Sequence, residues 1–174
     1  MNERRNVWKR LLLSGTVATA LAAGLGFFAL AFAAVAAVAV ALGPFLHSAD
    51  PPQRELLEML ARPQGLWVVV LLFLTVAVAA PIFEEVLFRG VLLPWLGARL
   101  ESRLDARRGR LLAIAITGCG FAAMHLQPLG LPTLTALGLV LGFAFLRTGN
   151  LLTAILVHGL WNGGVFILMR AMAS

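Results

Sequence analysis

An all-α, polytopic membrane helix bundle with about five transmembrane helices is the architecture this sequence predicts, and three observations predict it. Apolar residues make up 60% of the 174, and only 13% are charged. Apolar runs of about twenty residues or more recur, the length a helix needs to cross a hydrocarbon core of ~30 Å. The charges that do occur are gathered between those runs, where connecting loops hold them. The net charge of +6 is therefore read as arginines in cytoplasmic loops. It is not read as a nucleic-acid footprint, and no nucleic-acid partner is expected. Cys119 is the single cysteine. It has no thiol partner for a disulfide or a thiolate zinc site, so a small buried packing role is expected.

The elements follow in order. The basic start, with Arg4, Arg5, Lys9 and Arg10, resembles the n-region of a signal peptide. The apolar run that follows, Leu11 to Phe45, is far longer than the ~7–15 residues of an h-region, so it is read as a retained membrane segment. Gly24 and Gly26 could kink it, or it is one tilted helix with an extension. The polar loop His47 to Pro63 comes next, with a short interfacial helix expected over Arg54 to Ala61 and an exposed His47. Segment two, Gly65 to Leu100, is too long for one straight span and carries Pro81 at its middle, where a missing backbone donor should bend it. The loop Arg99 to Arg110 is the most basic part of the chain. Segment three, Leu111 to Leu126, holds Phe121 and His125. Segment four, Leu134 to Leu146, carries Gly138 and Gly142. Segment five, Leu151 to Met169, carries Gly159 and Gly163, and small residues at this spacing let membrane helices approach closely. Residues 1–64 form an N-terminal membrane segment with its polar loop, and residues 65–174 a helical core, together one membrane domain. A cytoplasmic N-terminus puts the Arg99–Arg110 loop and Arg147 inside, with Arg170 alone on the wrong side. Trp8, Trp67 and Trp95 lie near the expected interfaces; Trp161 lies mid-span.

The stretch Pro81 to Gly90 places Glu84, Glu85 and Arg89 inside an apolar run. Ionised side chains at membrane depth cost about 2.5–3.5 kcal/mol each on insertion scales, so such a group either pairs to hold helices or performs chemistry. Counting from the basic loop edges, Glu84 lies fifteen residues from Arg99, His125 fifteen from Arg110 and His158 eleven from Arg147. At ~1.5 Å per residue the depths are roughly 22, 22 and 16 Å, so three ionisable groups from three helices share a layer. Glu85 and Arg89 are four apart and can pair along one face, leaving Glu84 to point elsewhere. His158 and Asn162 share a face by the same spacing, as do Phe121 and His125. A carboxylate, two imidazoles and an amide in one pocket can activate water and stabilise an oxyanion.

Glu84-Glu85-Val86-Leu87-Phe88-Arg89 has the form EExxxR. Phe121-Ala122-Ala123-Met124-His125 has the form FxxxH, and His158-Gly159-Leu160-Trp161-Asn162 the form HxxxN. In this order on successive hydrophobic helices, over about Gly65 to Met169, they resemble the CAAX-protease and bacteriocin-processing family of intramembrane endopeptidases (CPBP or ABI), which includes the type II CAAX prenyl proteases. The resemblance implies that Glu84 is the general base that activates the hydrolytic water and that His125 holds or polarises that water. It implies that His158 and Asn162 bind the oxyanion, while Glu85 and Arg89 orient the site. The family is labelled a metalloprotease, yet a metal-free glutamate mechanism is also argued for it. A divalent ion such as zinc would fall to Glu84, His125 and His158, with an open fourth position. No HExxH pattern occurs in the chain, and the metal-free form is favoured. The implied substrate is a membrane-associated or prenylated peptide or protein, and the implied surroundings are membrane lipid. The composition suggests a bacterium, hence its cytoplasmic membrane. Maturation of a small peptide and self-immunity to a bacteriocin fit as well as cleavage of a prenylated tail.

Two other readings use the same residues. Intramembrane Glu and His also carry protons in transporters, although no internal repeat is apparent. A non-enzymatic immunity or scaffold protein would bind a partner in the membrane and keep its biological effect when Glu84 is replaced by Gln.

Overall fold

A computed structural model describes residues 17–46 and 54–173. The expectations for the basic N-terminus, Trp8 and His47 fall outside the described residues. No β-strand forms among them, and the chain is a succession of helices.

Helix α1, Val17–Leu46, is one unbroken element of 30 residues, about 45 Å at ~1.5 Å per residue. Gly24 and Gly26 do not interrupt it. It lies along the last two helices of the bundle, with Phe27 edge-on to Phe143 and Phe32 against Trp161. Helix α2, Arg54–Ala61, is the short amphipathic element expected in the first loop.

Helix α3 runs unbroken over Leu66–Glu101, 36 residues. Two of its stretches, Thr75–Ala79 and Val86–Leu92, are π-helical. The first explains how a proline sits inside a span. The Ala80 N–H reaches back five residues to the Thr75 carbonyl. The widened turn takes up the proline at position 81, and the helix continues instead of breaking.

Helix α4, Ala106–Met124, is capped by Asp105, whose side chain accepts from the Arg107 and Arg108 backbone N–H groups. It ends at Met124; His125 caps it and Leu126 follows with φ 53°. The third segment therefore stops one residue before the histidine that was placed within it. After a 3₁₀ turn over Pro128–Gly130, helix α5 covers Leu131–Thr148. Gly149, at φ 62°, ends it, and Asn150 caps the next helix by accepting from the Leu152 N–H. Helix α6 covers Leu151–Met172.

The protein is an integral membrane protein. Among the described residues, four helices are long and apolar enough to cross a membrane: α1, α3, the 3₁₀ turn with α5, and α6. Helix α4, read from sequence as a fifth span, is not one of them. Its first five residues include Arg107, Arg108 and Arg110, which leaves an apolar part of about 21 Å against a core of ~30 Å. Cys119 is exposed, which corrects the expectation of a buried packing residue. Helix α4 buries the face of Ala113, Ile114, Thr117, Gly118 and Phe121, and position 119 points away from it. Exposed Trp67 and Trp95 lie near the ends of α3, and the Arg99 guanidinium stacks 4.2 Å from the Trp95 ring centroid.

Lipid supplies no hydrophobic force between helices, so close packing and polar contacts hold them together. Phe88, Leu93, Ile114, Phe121, Leu137, Leu141 and Phe145 form the packed centre. Helices α4 and α5 meet at two glycines. A Cβ on Gly138 would lie 2.9 Å from the Gly118 carbonyl oxygen, so only glycine allows this approach.

Candidate active site

The buried centre of the polar cluster is the pair Glu85 and Arg89, both fully buried. Arg89 donates from Nη1 to Glu85 Oε1 at 2.8 Å and from Nη2 to the Gly138 carbonyl at 2.7 Å. The second bond exists because the α4–α5 glycine contact brings the α5 backbone within reach. His158, also buried, donates from Nδ1 to Glu85 Oε1 at 2.9 Å. One carboxylate oxygen thus ties α3 to α6, and its guanidinium partner ties α3 to α5. The guanidinium carbon lies 4.9 Å from the centroid of the Phe121 ring. A buried ion pair is tolerated only with its lone pairs and protons satisfied; these contacts supply part of that, and Glu85 Oε2 and Arg89 Nε are buried without a hydrogen-bond partner.

Glu84, the adjacent residue, faces another direction. Its Oε2 is buried without a hydrogen-bond partner. It lies 3.8 Å from His125 Nε2 and 3.8 Å from His158 Nε2. The histidines are oriented from behind. His125 Nδ1 donates to the Phe121 carbonyl at 2.8 Å, and His158 Nδ1 donates to Glu85. In the neutral imidazoles both Nε2 atoms therefore turn a lone pair towards the same carboxylate oxygen. The Phe121 ring packs edge-on to both imidazoles, with centroids 4.8 and 5.4 Å away.

Asn162 lies one turn beyond His158 and donates from Nδ2 to the Val76 carbonyl at 3.0 Å. The wide turn of α3 explains the bond. In a five-residue register the next donor after Ala80 is residue 81, a proline with no N–H, so the Val76 carbonyl lacks a backbone partner. The side-chain amide of α6 takes that place. Gly159 makes room: a Cβ there would lie 2.7 Å from the Ala77 carbonyl oxygen. Asn162, His125, Gln127 and Trp161 line a chamber of about 120 Å³ beside the cluster.

Glu84, His125 and His158, expected to share a layer, thus converge on one point. Glu85 and Arg89 form the expected pair. The backbone contributors were not legible in the sequence: the carbonyls of Gly138, Phe121 and Val76, and the chamber position of Gln127. Pro81 and the Gly138-xxx-Gly142 spacing were the available signals for two of them. Among the described residues no group of three or more His, Cys, Asp or Glu side chains is gathered so as to hold a metal ion.

Fold and site together define an α-helical integral membrane protein with a carboxylate–imidazole cluster at the junction of α3, α4 and α6. The chain belongs to the Rce1-like type II CAAX prenyl endopeptidase family, whose family model matches residues 66–164. It is 35% identical over 103 residues to an uncharacterised 24.3 kDa protein of Escherichia coli, across 52% of this chain and 40% of that protein. The chain thus matches less than half the length of that relative. No solved structure matches it.

Proposed function

We propose that the protein is an intramembrane endopeptidase that hydrolyses a peptide bond of a membrane-associated substrate with Glu84 as general base. The observation that carries this reading is the Glu84 Oε2 atom, buried, unpartnered and 3.8 Å from two imidazole nitrogens. Three acceptors facing one another need protons between them. A water there donates one hydrogen to Glu84 and the other to an imidazole, so its lone pairs point into the chamber. That is the orientation of a nucleophile, and positioned general-base catalysis contributes typically 10²–10⁴-fold.

In the reaction the water oxygen attacks the scissile carbonyl carbon while Glu84 takes one water proton. The carbonyl oxygen becomes an oxyanion. It accepts from the second Asn162 Nδ2 hydrogen, the first being held by Val76, and from His158 Nε2 when that nitrogen is protonated. The carbon–nitrogen bond then breaks as Glu84 returns its proton to the departing amine. His125 keeps the water in place from the opposite side. Glu85 and Arg89 touch no reacting atom; they position His158 and hold three helices around it.

The mechanism routes no step through a metal: Glu84 and the two imidazoles supply the proton acceptors themselves. Activity should persist in a chelator, and the purified protein should carry no stoichiometric divalent ion; loss of activity restored by zinc would overturn this. The substrate class, a lipidated or membrane-embedded peptide, follows the family's description. A bacterial cytoplasmic membrane with a cytoplasmic N-terminus is supported by the arginine-rich loop Arg99–Arg110.

The test compares peptide termini in cells making the native chain and cells making Glu84→Gln at matched membrane levels. The variant should fold equally well, because an unpartnered carboxylate is exchanged for a neutral isostere, yet it should generate none of the new termini. Identical termini from both, with the biological effect retained, would move the reading to a non-enzymatic immunity or scaffold protein.

A further inference from the structure

The corner where α3 ends and α4 begins carries the densest positive charge in the chain. Residues 99–110 hold five arginines against two carboxylates. Orientation in the membrane needs only the number of such charges, and the structure adds three features that this role does not require. First, both carboxylates are already spent. Asp105 caps α4 and meets Arg108 at 3.3 Å, and Glu101 lies 3.8 Å from Arg110. Arg99, Arg103 and Arg107 are exposed and make no ion pair among the described residues. Second, the corner is firmly built. A Cβ on Gly109 would lie 2.7 Å from the Glu101 backbone nitrogen, so the two helices press together there. The Arg103 and Leu104 N–H groups both bond the Leu100 carbonyl. Arg99 stacks 4.2 Å from the centroid of the exposed Trp95 ring, which orders the guanidinium and leaves its edge N–H groups open. Third, apolar surface begins directly below the charge. Exposed Leu111 follows Arg107 four residues on, and exposed Leu112 and Ile116 follow Arg108 at the same interval, so each arginine heads an apolar stripe of α4.

We infer that this corner binds an anionic phospholipid, whose headgroup phosphate accepts from Arg99, Arg103 and Arg107 and whose acyl chains lie along Leu111, Leu112 and Ile116. A guanidinium meets phosphate with two parallel hydrogen bonds. The three unopposed cations set the sign: a zwitterionic lipid brings its own ammonium to the same place, whereas an anionic one brings net negative charge. The apolar stripes set the kind of ligand. The arginines stand at the boundary where α3 and α4 enter the hydrocarbon, and only a ligand with both a charged head and apolar tails meets both parts of the surface. A basic residue close to an anionic membrane surface contributes about fivefold to binding, so three of them carry a preference well above tenfold. The inference does not depend on the chemistry at Glu84.

The test places the full chain in nanodiscs of equal parts phosphatidylglycerol and phosphatidylcholine. The lipids that stay on the protein after transfer to detergent are counted by native mass spectrometry. Phosphatidylglycerol should be retained at least about tenfold over phosphatidylcholine, and the ratio should fall as salt is raised. The triple variant Arg99→Gln, Arg103→Gln, Arg107→Gln should bring the ratio to about one. A second triple variant, Arg62→Gln, Arg147→Gln, Arg170→Gln, removes the same charge elsewhere and should keep most of the preference. The native chain decides the matter even where a variant does not accumulate, since a native ratio near one overturns the inference. A ratio that survives loss of the three corner arginines overturns it too. Equal loss in both triple variants would do the same, because net charge and not this corner would then select the lipid. An excess of glycerol phosphate, the head without its chains, should not displace phosphatidylglycerol; displacement would make the corner a site for free phosphate and remove the lipid.

Discussion

Replacing Arg89 with Met should cost the fold about 3–5 kcal/mol, the usual effect of removing one partner from a buried ion pair. Arg89 is fully buried and holds Glu85 Oε1 at 2.8 Å and the Gly138 carbonyl at 2.7 Å. Without the guanidinium, Glu85 keeps only His158 as a partner, and the α5 carbonyl at Gly138 loses its donor. A hydrogen bond from a charged group contributes about 1.5–3 kcal/mol, so the carbonyl bond alone accounts for a large share. The expected loss is roughly 10²–10⁴ in the ratio of folded to unfolded protein. Reversible unfolding in mixed micelles, followed by helical signal, measures it. The double variant Glu85→Gln with Arg89→Met should recover at least about 1 kcal/mol relative to the single change, because no uncompensated charge remains buried. A loss below about 1 kcal/mol for the single variant, or a double variant as costly as the sum of its parts, would show that the pair does not hold α3, α5 and α6 together.

Two further outcomes follow from the packing. Gly138→Ala should destabilise by about 1–3 kcal/mol, because its Cβ would meet the Gly118 carbonyl oxygen at 2.9 Å and the Phe121 ring at 3.2 Å; wild-type stability in the same titration would contradict the close approach. Pro81→Ala should give the Val76 carbonyl a backbone donor and release Asn162. Pro81→Ala and Asn162→Ala should then be coupled by about 0.5–1.5 kcal/mol in a double-mutant cycle, and strict additivity would refute the account of the wide turn.

The family membership was legible because its motifs are local. EExxxR, FxxxH and HxxxN are short spacings on helices, and a four-residue spacing puts two side chains on one face whatever the rest of the chain does. The shared depth of Glu84, His125 and His158 was legible for a similar reason, since a membrane supplies an external ruler for each helix. His125 shows where that reasoning ends. Its distance from Arg110 was countable, but the helix end at Met124 depends on the turn through Leu126, whose positive φ no local signal announced. The number of spans was less legible than the number of helices, because α4 combines a charged first turn with an apolar remainder and sits between the two classes.

By itself, then, the sequence determined that the chain is helical and membrane-embedded, and which side chains share each helical face, because hydropathy and helical periodicity act within single segments. Only the tertiary structure decided which atoms meet. The Gly138 carbonyl reaches Arg89 because two glycines let α4 and α5 touch. The Val76 carbonyl reaches Asn162 because a wide turn and a proline leave it without a backbone partner. Each of these depends on backbone groups from helices distant in the chain, and a backbone carbonyl carries no mark in the sequence of the partner it will find.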